Sequence, residues 1–217
     1  MTTTGKQLSP KSNLTLEEGK ILVSLARLAI SKYLESSEII KPPQDIPEKL
    51  LRKSGVFVTL NALKPVHELR GCIGFPYPSE ALADATIKAA ISAATEDPRF
   101  KPVNLRELKS SIILELTHLT EPRNLDTSDR RTLPKQIKIG QHGLIISTKG
   151  TSGLLLPQVA TEWNWDSSEF LMNCCLKAGL PPDSWLLDGV EVKVFEGEIF
   201  AEVTPEGEVK RKRPGGI

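Results

Sequence analysis

The order of the predicted elements constrains the fold of this chain more than any other feature of its sequence. The sequence over roughly 56–119 predicts a strand, a second strand, a helix and a third strand. The sequence over roughly 137–203 predicts the same order of elements. Hairpins around a single helix are typical of antiparallel sheets with segregated helices, and not of a doubly wound fold. We therefore predict an α+β fold of two lobes, with mainly antiparallel sheets and flanking helices. The residues of the two halves do not repeat, so the internal duplication that we predict is one of element order.

The part of the chain before the first lobe is predicted to be helical, over 15–54. Thr15 and Glu18 have the spacing of a capping box, in which each side chain binds a backbone amide of the first helical turn. The basic residues near the C-terminus indicate a solvated tail or a weak contact with an anion. The predicted boundaries are 1–13 for a disordered N-terminal segment, 14–203 for a single domain, and 204–217 for a basic C-terminal tail.

The composition of the chain indicates which classes of partner and which cellular compartment to expect. The net charge is +1, which does not indicate a nucleic-acid partner. No run of about 18 apolar residues exists, and the N-terminus lacks the apolar core of a signal peptide. Three cysteines, two of them adjacent, do not make a disulfide framework. We therefore expect a cytoplasmic protein with reduced thiols and no membrane contact.

The segment 68–74 is the best candidate for chemistry. If it is a strand, Arg70 and Cys72 lie on one face, and a guanidinium beside a thiol favours the thiolate. Gly71 and Gly74 let a ligand or another backbone approach closely. The alternatives are a buried structural cysteine, since free cysteines are often buried, and an arginine paired with a carboxylate. A reactive Cys72 with Arg70 as a ligand-binding residue stays open beside them.

His142 is the candidate general base. It lies in a turn between Gly140 and Gly143, where an imidazole with a pKa near neutrality is accessible. A pair of Cys72 and His142 from different halves would place the site at the lobe junction. The alternative is a turn histidine that hydrogen-bonds to a carbonyl group.

Three further residues complete the predicted ligand site. Asp97 and Arg99 flank a proline after a helix, and they either pair with each other or present Arg99 to an anion beside Arg70. Gln158 is placed on a predicted strand over 154–160, where Pro157 requires an edge or a bulge. From there Gln158 could line the same cleft, or it could make a hydrogen bond at the strand end.

Metal and cofactor motifs are missing from the sequence. The three histidines are far apart, and no Cys-x-x-Cys or His-x-x-x-His spacing occurs. A phosphate-binding loop and a dinucleotide fingerprint are likewise absent. Cys174 and Cys175 lie within a predicted helix among apolar residues, which favours core packing. We predict no metal and no cofactor.

Five blocks of the sequence, in order, resemble the AMMECR family, named for the Alport-syndrome, midface hypoplasia and elliptocytosis chromosomal region. The resemblance extends from about Glu17 to Val203, and one position departs from it, Gln141, where the family often has a basic residue. It implies a two-lobed α+β fold with an internal duplication. The blocks are 69–74 (LRGCIG), 97–100 (DPRF), 139–144 (IGQHGL), 155–160 (LLPQVA) and 177–180 (KAGL).

The family has no established activity, so the resemblance assigns no catalytic role. Members also occur joined to, or encoded beside, Memo-like and radical-SAM modules, which implies a shared modification pathway. No radical-SAM cysteine motif exists here, so that chemistry would belong to a partner. We expect a small anionic-ligand site at the lobe junction, built around Arg70, Gly71 and Cys72. The alternative is a non-catalytic protein-interaction module, and a nucleic-acid binder ranks third.

Overall fold

The computed structural model describes residues 14–64 and 68–212. The helices are α1 (Leu16–Ser36), α2 (Leu82–Thr95), α3 (Leu105–Ser111), α4 (Leu133–Gln136), α5 (Pro157–Glu162) and α6 (Ser167–Lys177), with 3-10 turns at Glu48–Leu51, Arg130–Thr132 and Ser184–Leu186. The strands are β1 (Gly55–Ala62), β2 (Glu68–Phe75), β3 (Ile112–Leu119), β4 (Arg123–Asn124), β5 (His142–Ser147), β6 (Ser152–Leu155), β7 (Glu191–Glu202) and β8 (Val209–Lys212).

All of the strand pairings among the described residues are antiparallel, and β7 connects the two lobes. The strand order is β2-β1-β3-β7-β5-β6, and β4 and β8 also pair with β7. Residues 191–196 of β7 pair with β5 of the second lobe, whereas 197–201 pair with β3 of the first lobe. This arrangement confirms the predicted α+β fold with antiparallel sheet.

The two lobes pair their strands in a similar order. In the first lobe β1 lies between β2 and β3, and in the second lobe β5 lies between β6 and β7. A hairpin is thus followed in both lobes by a helical segment and a strand that pairs with the first strand of the hairpin. A shared order of pairing does not establish a common origin, and the internal duplication stays a prediction.

Helices cover one face of both halves of the sheet. In the first lobe α1 and α2 pack on Val58, Leu60 and Leu114, and in the second lobe α6 packs on Leu144 and Ile146. The even-numbered residues of β7, such as Val192 and Phe200, belong to the same two cores. Because side chains alternate along a strand, the odd-numbered residues of β7 point to the other face. We call that side of the sheet the far face.

The far face has an apolar part at the lobe junction and a polar part in the first lobe. Leu119, Ile145 and Phe195 form a buried cluster, against which Phe57 packs. Further along the first lobe, the far face carries Thr59, Cys72, Glu115 and Thr117, as the strand register shows. The predicted site strand β2 is separated from β7 by β1 and β3, and it approaches the junction cluster through Gly74, the partner of Phe57. Its Cys72 faces away from α1 and α2.

Local sequence signals explain most of the helix ends. The capping box of Thr15 and Glu18 begins α1, as predicted, and Asp166 and Glu169 form a second capping box at α6. Gly179 follows α6 with a φ of 75°, which suits glycine at a helix end. Helix α2 buries Ala85, Ala89 and Ala93, so the helix approaches the sheet closely.

Two segments differ from the sequence-based predictions. The predicted strand over 154–160 is wrong beyond Leu155, because Pro157 occupies the first turn of α5, where its missing amide proton costs nothing. Part of the predicted basic tail is strand β8, in which Arg211 pairs with Glu198 and Lys212 pairs with Glu115. The predicted disordered segment 1–13 and the tail residues 213–217 lie outside the described residues.

Candidate functional site

The outer edge of β2 is closed by the side chains of Asp97 and Arg99. Strand β2 ends the sheet, and the backbone amide of Cys72 points outward from this edge, because it donates to Asp97. Asp97 Oδ2 accepts a hydrogen bond from this amide at 2.9 Å, and Arg99 Nη2 donates to the Cys72 carbonyl at 3.4 Å. The turn after α2 thus supplies the donor and the acceptor that a further strand would supply.

Asp97 is buried and ionised. Arg99 donates to it from Nε at 3.0 Å and from Nη2 at 2.7 Å, a bidentate pair. The hydrogen bonds from Arg99 lower the pKa of the Asp97 carboxyl far below its usual range, and the bond from the Cys72 amide adds to this, although burial opposes it. The first sequence-based alternative, an internal pair of Asp97 with Arg99, is present in the structure.

The Cys72 thiol is half-buried on the far face, and it is not activated. Thr59 Oγ1 donates to Cys72 Sγ at 3.3 Å across the β1–β2 pair. Burial raises the pKa of the thiol, and the negative charges of Asp97 and Glu115 add to the rise, while Thr59 and Arg99 oppose it. The neutral thiol is therefore the prevailing form near pH 7, contrary to the thiolate that the sequence suggested.

Arg70 does not act on Cys72, because the strand is irregular at this position. Leu60 pairs with Gly71 and Asn61 pairs with Leu69, so Arg70 is the extra residue of a β-bulge. Its guanidinium donates to Glu107 at 2.7 and 3.2 Å and to the Lys101 carbonyl at 2.7 Å. Arg99 is instead the guanidinium whose charge reaches the thiol.

The two glycines of the motif face protein atoms, not open space. A Cβ atom at Gly71 would lie 2.2 Å from the Ala93 carbonyl oxygen at the end of α2. At Gly74 it would lie 2.3 Å from the ring of Phe57. Close packing of helix and sheet, and of the Phe57 ring, accounts for both glycines.

Gly71→Ala is therefore expected to lower the free energy of unfolding by about 1–3 kcal/mol, because α2 must shift away from β2. Gly150→Ala is the matched control, since its Cβ would have no atom within 4 Å, and we expect a change within about 0.5 kcal/mol. Urea denaturation of both variants provides the comparison. Equal stabilities would contradict the close packing at Gly71.

His142 lies apart from Cys72, on the helix-covered side of β5. It alternates with the core residues Leu144 and Ile146, and it is 2% exposed. Its Nδ1 accepts a hydrogen bond from the Lys138 amide at 3.2 Å, and Nε2 lies 3.9 Å from Glu196. Burial lowers the pKa of His142, and the positive charge of Arg123 lowers it further. The negative charge of Glu196 opposes this shift. No hydrogen bond joins it to Cys72 within the described ranges, so the predicted pair does not form.

Gln158 is also placed differently from the prediction. It lies in the first turn of α5 and not on a strand, and α5 packs against β5. Over residues 14–64 and 68–212, no hydrogen bond connects its side chain with Cys72, Arg99 or Arg70. Of the predicted site residues, the structure thus brings together Cys72, Asp97 and Arg99.

Sequence reasoning missed three residues of the far face, namely Thr59, Glu115 and Lys212. Thr59 pairs with Cys72 on one side and with Glu115 on the other, which makes a polar row across three strands. Lys212 of β8 reaches Glu115 at 3.0 Å. The signal in the sequence was the polar residue in the middle of each apolar strand, but the pairing partners are far apart in the chain.

The raised pKa of Cys72 leads to a reactivity prediction. Its alkylation rate by iodoacetamide should keep rising above pH 9, past the range in which an ordinary thiol of pKa about 8.5 levels off. Cys174 and Cys175 are internal controls, because both are buried and burial raises the pKa of Cys174 to about 12. Mass spectrometry resolves the three sites, and a titration of Cys72 near pH 7 would contradict the neutral thiol.

Among the residues described, no group of three or more His, Cys, Asp or Glu side chains is arranged to hold a metal ion. No helix in the same ranges is long and apolar enough to cross a membrane.

Comparison with known proteins places the chain in a family. The AMMECR1 family model matches residues 23–200. A Pyrococcus furiosus protein is 52% identical over 198 residues, covering 90% of this chain and 93% of that protein. A Thermofilum pendens protein is 49% identical over 203 residues, covering 90% and 95%. The crystal structure of an uncharacterised Pyrococcus horikoshii protein is 50% identical, covers 91% of this chain and 97% of its own, and superposes with a TM-score of 0.80. The chain therefore belongs to the AMMECR1 family.

Proposed function

We propose that the chain binds a small anionic ligand on the far face beside Cys72, next to the lobe junction. One observation carries this proposal. Arg99 donates hydrogen bonds from Nε and Nη2 to Asp97, and its side chain remains 54% exposed. Within the described part of the chain, nothing accepts a hydrogen bond from Nη1. The guanidinium is thus held in place by a buried carboxylate while Nη1 remains available to a ligand, as pre-organised recognition requires.

The polar row supplies the rest of the site. Cys72, Thr59 and Glu115 lie on three adjacent strands, so they extend over about 10 Å at the usual strand spacing. Arg99 lies at the Cys72 end of this row, and Lys212 lies at the Glu115 end. A molecule with a carboxylate or phosphate at the Arg99 end and a hydrogen-bonding group over Thr59 fits this arrangement. Arg70 and the two glycines support the site by shaping β2.

The role of the site is binding and not nucleophilic catalysis. The Cys72 thiol is neutral and His142 lies on the other side of the sheet, so the pair proposed from the sequence lacks both activation and contact. Redox or radical chemistry would then belong to a partner enzyme of the Memo-like or radical-SAM kind that the family resemblance implies. The free thiols Cys72, Cys174 and Cys175 fit a reducing compartment such as the cytoplasm.

Titration of the ¹⁵N-labelled protein with inorganic phosphate, and separately with malonate, tests the proposal. We expect saturable amide shifts at Thr59, Cys72 and Arg99. Arg99→Lys should weaken binding at least fivefold, because an ammonium group lacks the planar fork that binds Asp97 and a ligand together. Arg106→Lys is the matched control at an exposed arginine of α3, and it should bind as the wild type does.

Two results would contradict the proposal. One is an equal affinity of the wild type and the Arg99→Lys variant for both anions. The other is a set of shifts confined to residues away from the far face. Either result would favour the alternative that the far face is a protein-interaction module without a small ligand.

A further inference from the structure

A second site lies at the start of β1 and the end of β3, around a cavity of about 490 Å³. The cavity is located where the chain passes from β3 to β4, and its lining residues all belong to 14–122. Its apolar wall includes Leu14, Pro76, Leu82 and Leu119. Neither Cys72 nor Arg99 lines this cavity, so it is separate from the ligand site proposed above.

Three polar residues form a chain of hydrogen bonds at this cavity. Ser54 Oγ lies 2.8 Å from His118 Nε2, and His118 Nδ1 lies 3.1 Å from Glu198 Oε2. Ser54 precedes β1, whereas His118 and Glu198 are direct partners on β3 and β7. Ser54 and His118 line the cavity, and Glu198 lies behind them, buried. Nucleophile, base and orienting carboxylate are recognised by this order and these distances.

The surroundings of Glu198 determine which imidazole nitrogen carries the proton. Burial raises the pKa of Glu198, but the hydrogen bonds from His118 and from the Leu14 amide, with the charge of Arg211, outweigh it and lower the pKa overall. An ionised carboxylate accepts hydrogen bonds only, so Nδ1 must hold the proton that it donates to Glu198. The lone pair of Nε2 then faces the Ser54 hydroxyl.

Ser54 has a second neighbour that keeps its oxygen in place. The Leu119 carbonyl oxygen lies 3.0 Å from Ser54 Oγ. A hydroxyl group has one proton, so Ser54 donates either to Leu119 or to His118. Both arrangements hold Oγ at the cavity wall, and the one with His118 prepares the proton transfer.

We propose that Ser54, His118 and Glu198 form a hydrolytic site for carboxylic esters. Ser54 Oγ attacks the ester carbonyl carbon and forms the new C–O bond, while its proton passes to His118 Nε2. The bond to the leaving alcohol breaks, and the alcoholate takes that proton from His118. Water then attacks the acyl-serine in the same way, which releases the acid and restores Ser54. Glu198 is a positioning residue that holds the imidazole and stabilises its protonated form.

The wall of the cavity indicates the class of ester. Lys49, Arg52 and Lys53 lie along its rim with Glu121, and Lys49 and Arg52 pair with Glu18 and Glu48. Lys53, beside the apolar wall, fits an ester whose acyl group carries a carboxylate at its far end. A neutral ester would use the apolar wall alone and forgo the attraction of the rim.

Covalent labelling tests the nucleophile. A fluorophosphonate should add once to the folded protein, and peptide mapping should place the adduct on Ser54. Ser54→Ala should abolish labelling, and His118→Asn should slow it at least 100-fold, with thermal unfolding confirming that each variant is folded. Ser79→Ala is the matched control at an exposed serine nearby, and it should label as the wild type does. A folded wild type that resists the probe for hours, or an adduct on another serine only, would overturn the proposal.

Turnover tests the substrate class. Mono-p-nitrophenyl succinate should be hydrolysed with a KM at least threefold lower than that of p-nitrophenyl butyrate, and both activities should disappear in Ser54→Ala. Lys53→Gln should raise the KM of the succinate ester and leave that of the butyrate ester unchanged. Hydrolysis that persists at the wild-type rate in Ser54→Ala would contradict the assignment.

The role of Glu198 has a spectroscopic signature. Long-range ¹H–¹⁵N spectra of the His118 ring, assigned with His118→Asn, should show the proton on Nδ1 in the wild type. Glu198→Gln should move the ring toward the Nε2-protonated form and slow the labelling of Ser54. A proton on Nε2 in the neutral wild-type ring would exclude His118 as the base, and with it the hydrolytic site.

Discussion

Replacing Arg27 with Met is expected to lower the free energy of unfolding by about 3–5 kcal/mol, because the change leaves a buried carboxylate unpaired. Arg27 donates to both carboxylate oxygens of Glu202, and the two residues are 9% and 4% exposed. It also donates to the carbonyl oxygens of Leu108 at 2.9 Å and Ile112 at 2.8 Å. One side chain therefore connects α1 with α3, β3 and β7.

The double variant Arg27→Met with Glu202→Leu separates the contribution of the ion pair to stability from the contribution of side-chain packing. Removing both charges should recover part of the loss, since the unpaired carboxylate is the costly species. Lys88→Met is the control at an exposed ion pair with Glu80, where we expect about 0–1 kcal/mol. Urea denaturation of the variants gives the three values. A loss at Arg27 no larger than that at Lys88 would contradict a structural role for the buried pair.

Asp97→Asn is expected to cost about 2–4 kcal/mol at pH 7, because Arg99 and the Cys72 amide lose a charged acceptor inside the protein. The pH dependence has a definite sign. The pKa of Asp97 is lowered in the folded state, so its stabilisation is complete above the unfolded pKa of about 3.9 and is lost as the pH falls below it. The wild type should thus lose stability between about pH 4 and pH 2 more steeply than Asp97→Asn.

Urea denaturation from pH 7 to pH 2 measures this difference. Asp45→Asn, at an exposed position, is the matched control and should follow the wild-type curve. Hydrogen exchange provides a second readout, because the Cys72 amide should exchange faster in Asp97→Asn. Parallel pH curves for wild type and variant, with unchanged exchange at Cys72, would show that Asp97 does not support the edge of the sheet.

Signals that act within a few residues made the elements predictable. The capping box at Thr15 depends only on local spacing, and it appears in the structure as predicted. The capping box at Asp166 and the small inner face of α2 depend on the same kind of spacing. Pro157 shows the limit of such signals, since proline is compatible with a strand edge and with a first helical turn. The neighbouring residues did not decide between the two, and the structure has the helix.

The candidate site was harder to predict because it depends on strand register. The bulge at Arg70 turns its guanidinium to Glu107, and no pattern within 68–74 indicates the extra residue. Likewise, His118 and Glu198 are 80 residues apart in the chain, and only the pairing of β3 with β7 makes them neighbours. Periodicity identifies which residues share a strand face, but the contacts between strands follow from the completed sheet.

Anomalous diffraction from crystals soaked in selenate, an anion with the shape and charge of sulfate, would test the proposed ligand site most directly. We expect an anomalous peak within hydrogen-bond distance of Arg99 Nη1, beside Cys72 and Thr59, and its loss in crystals of Arg99→Lys. Peaks only elsewhere, for example at the cationic rim near Lys53, would contradict an anion site on the far face.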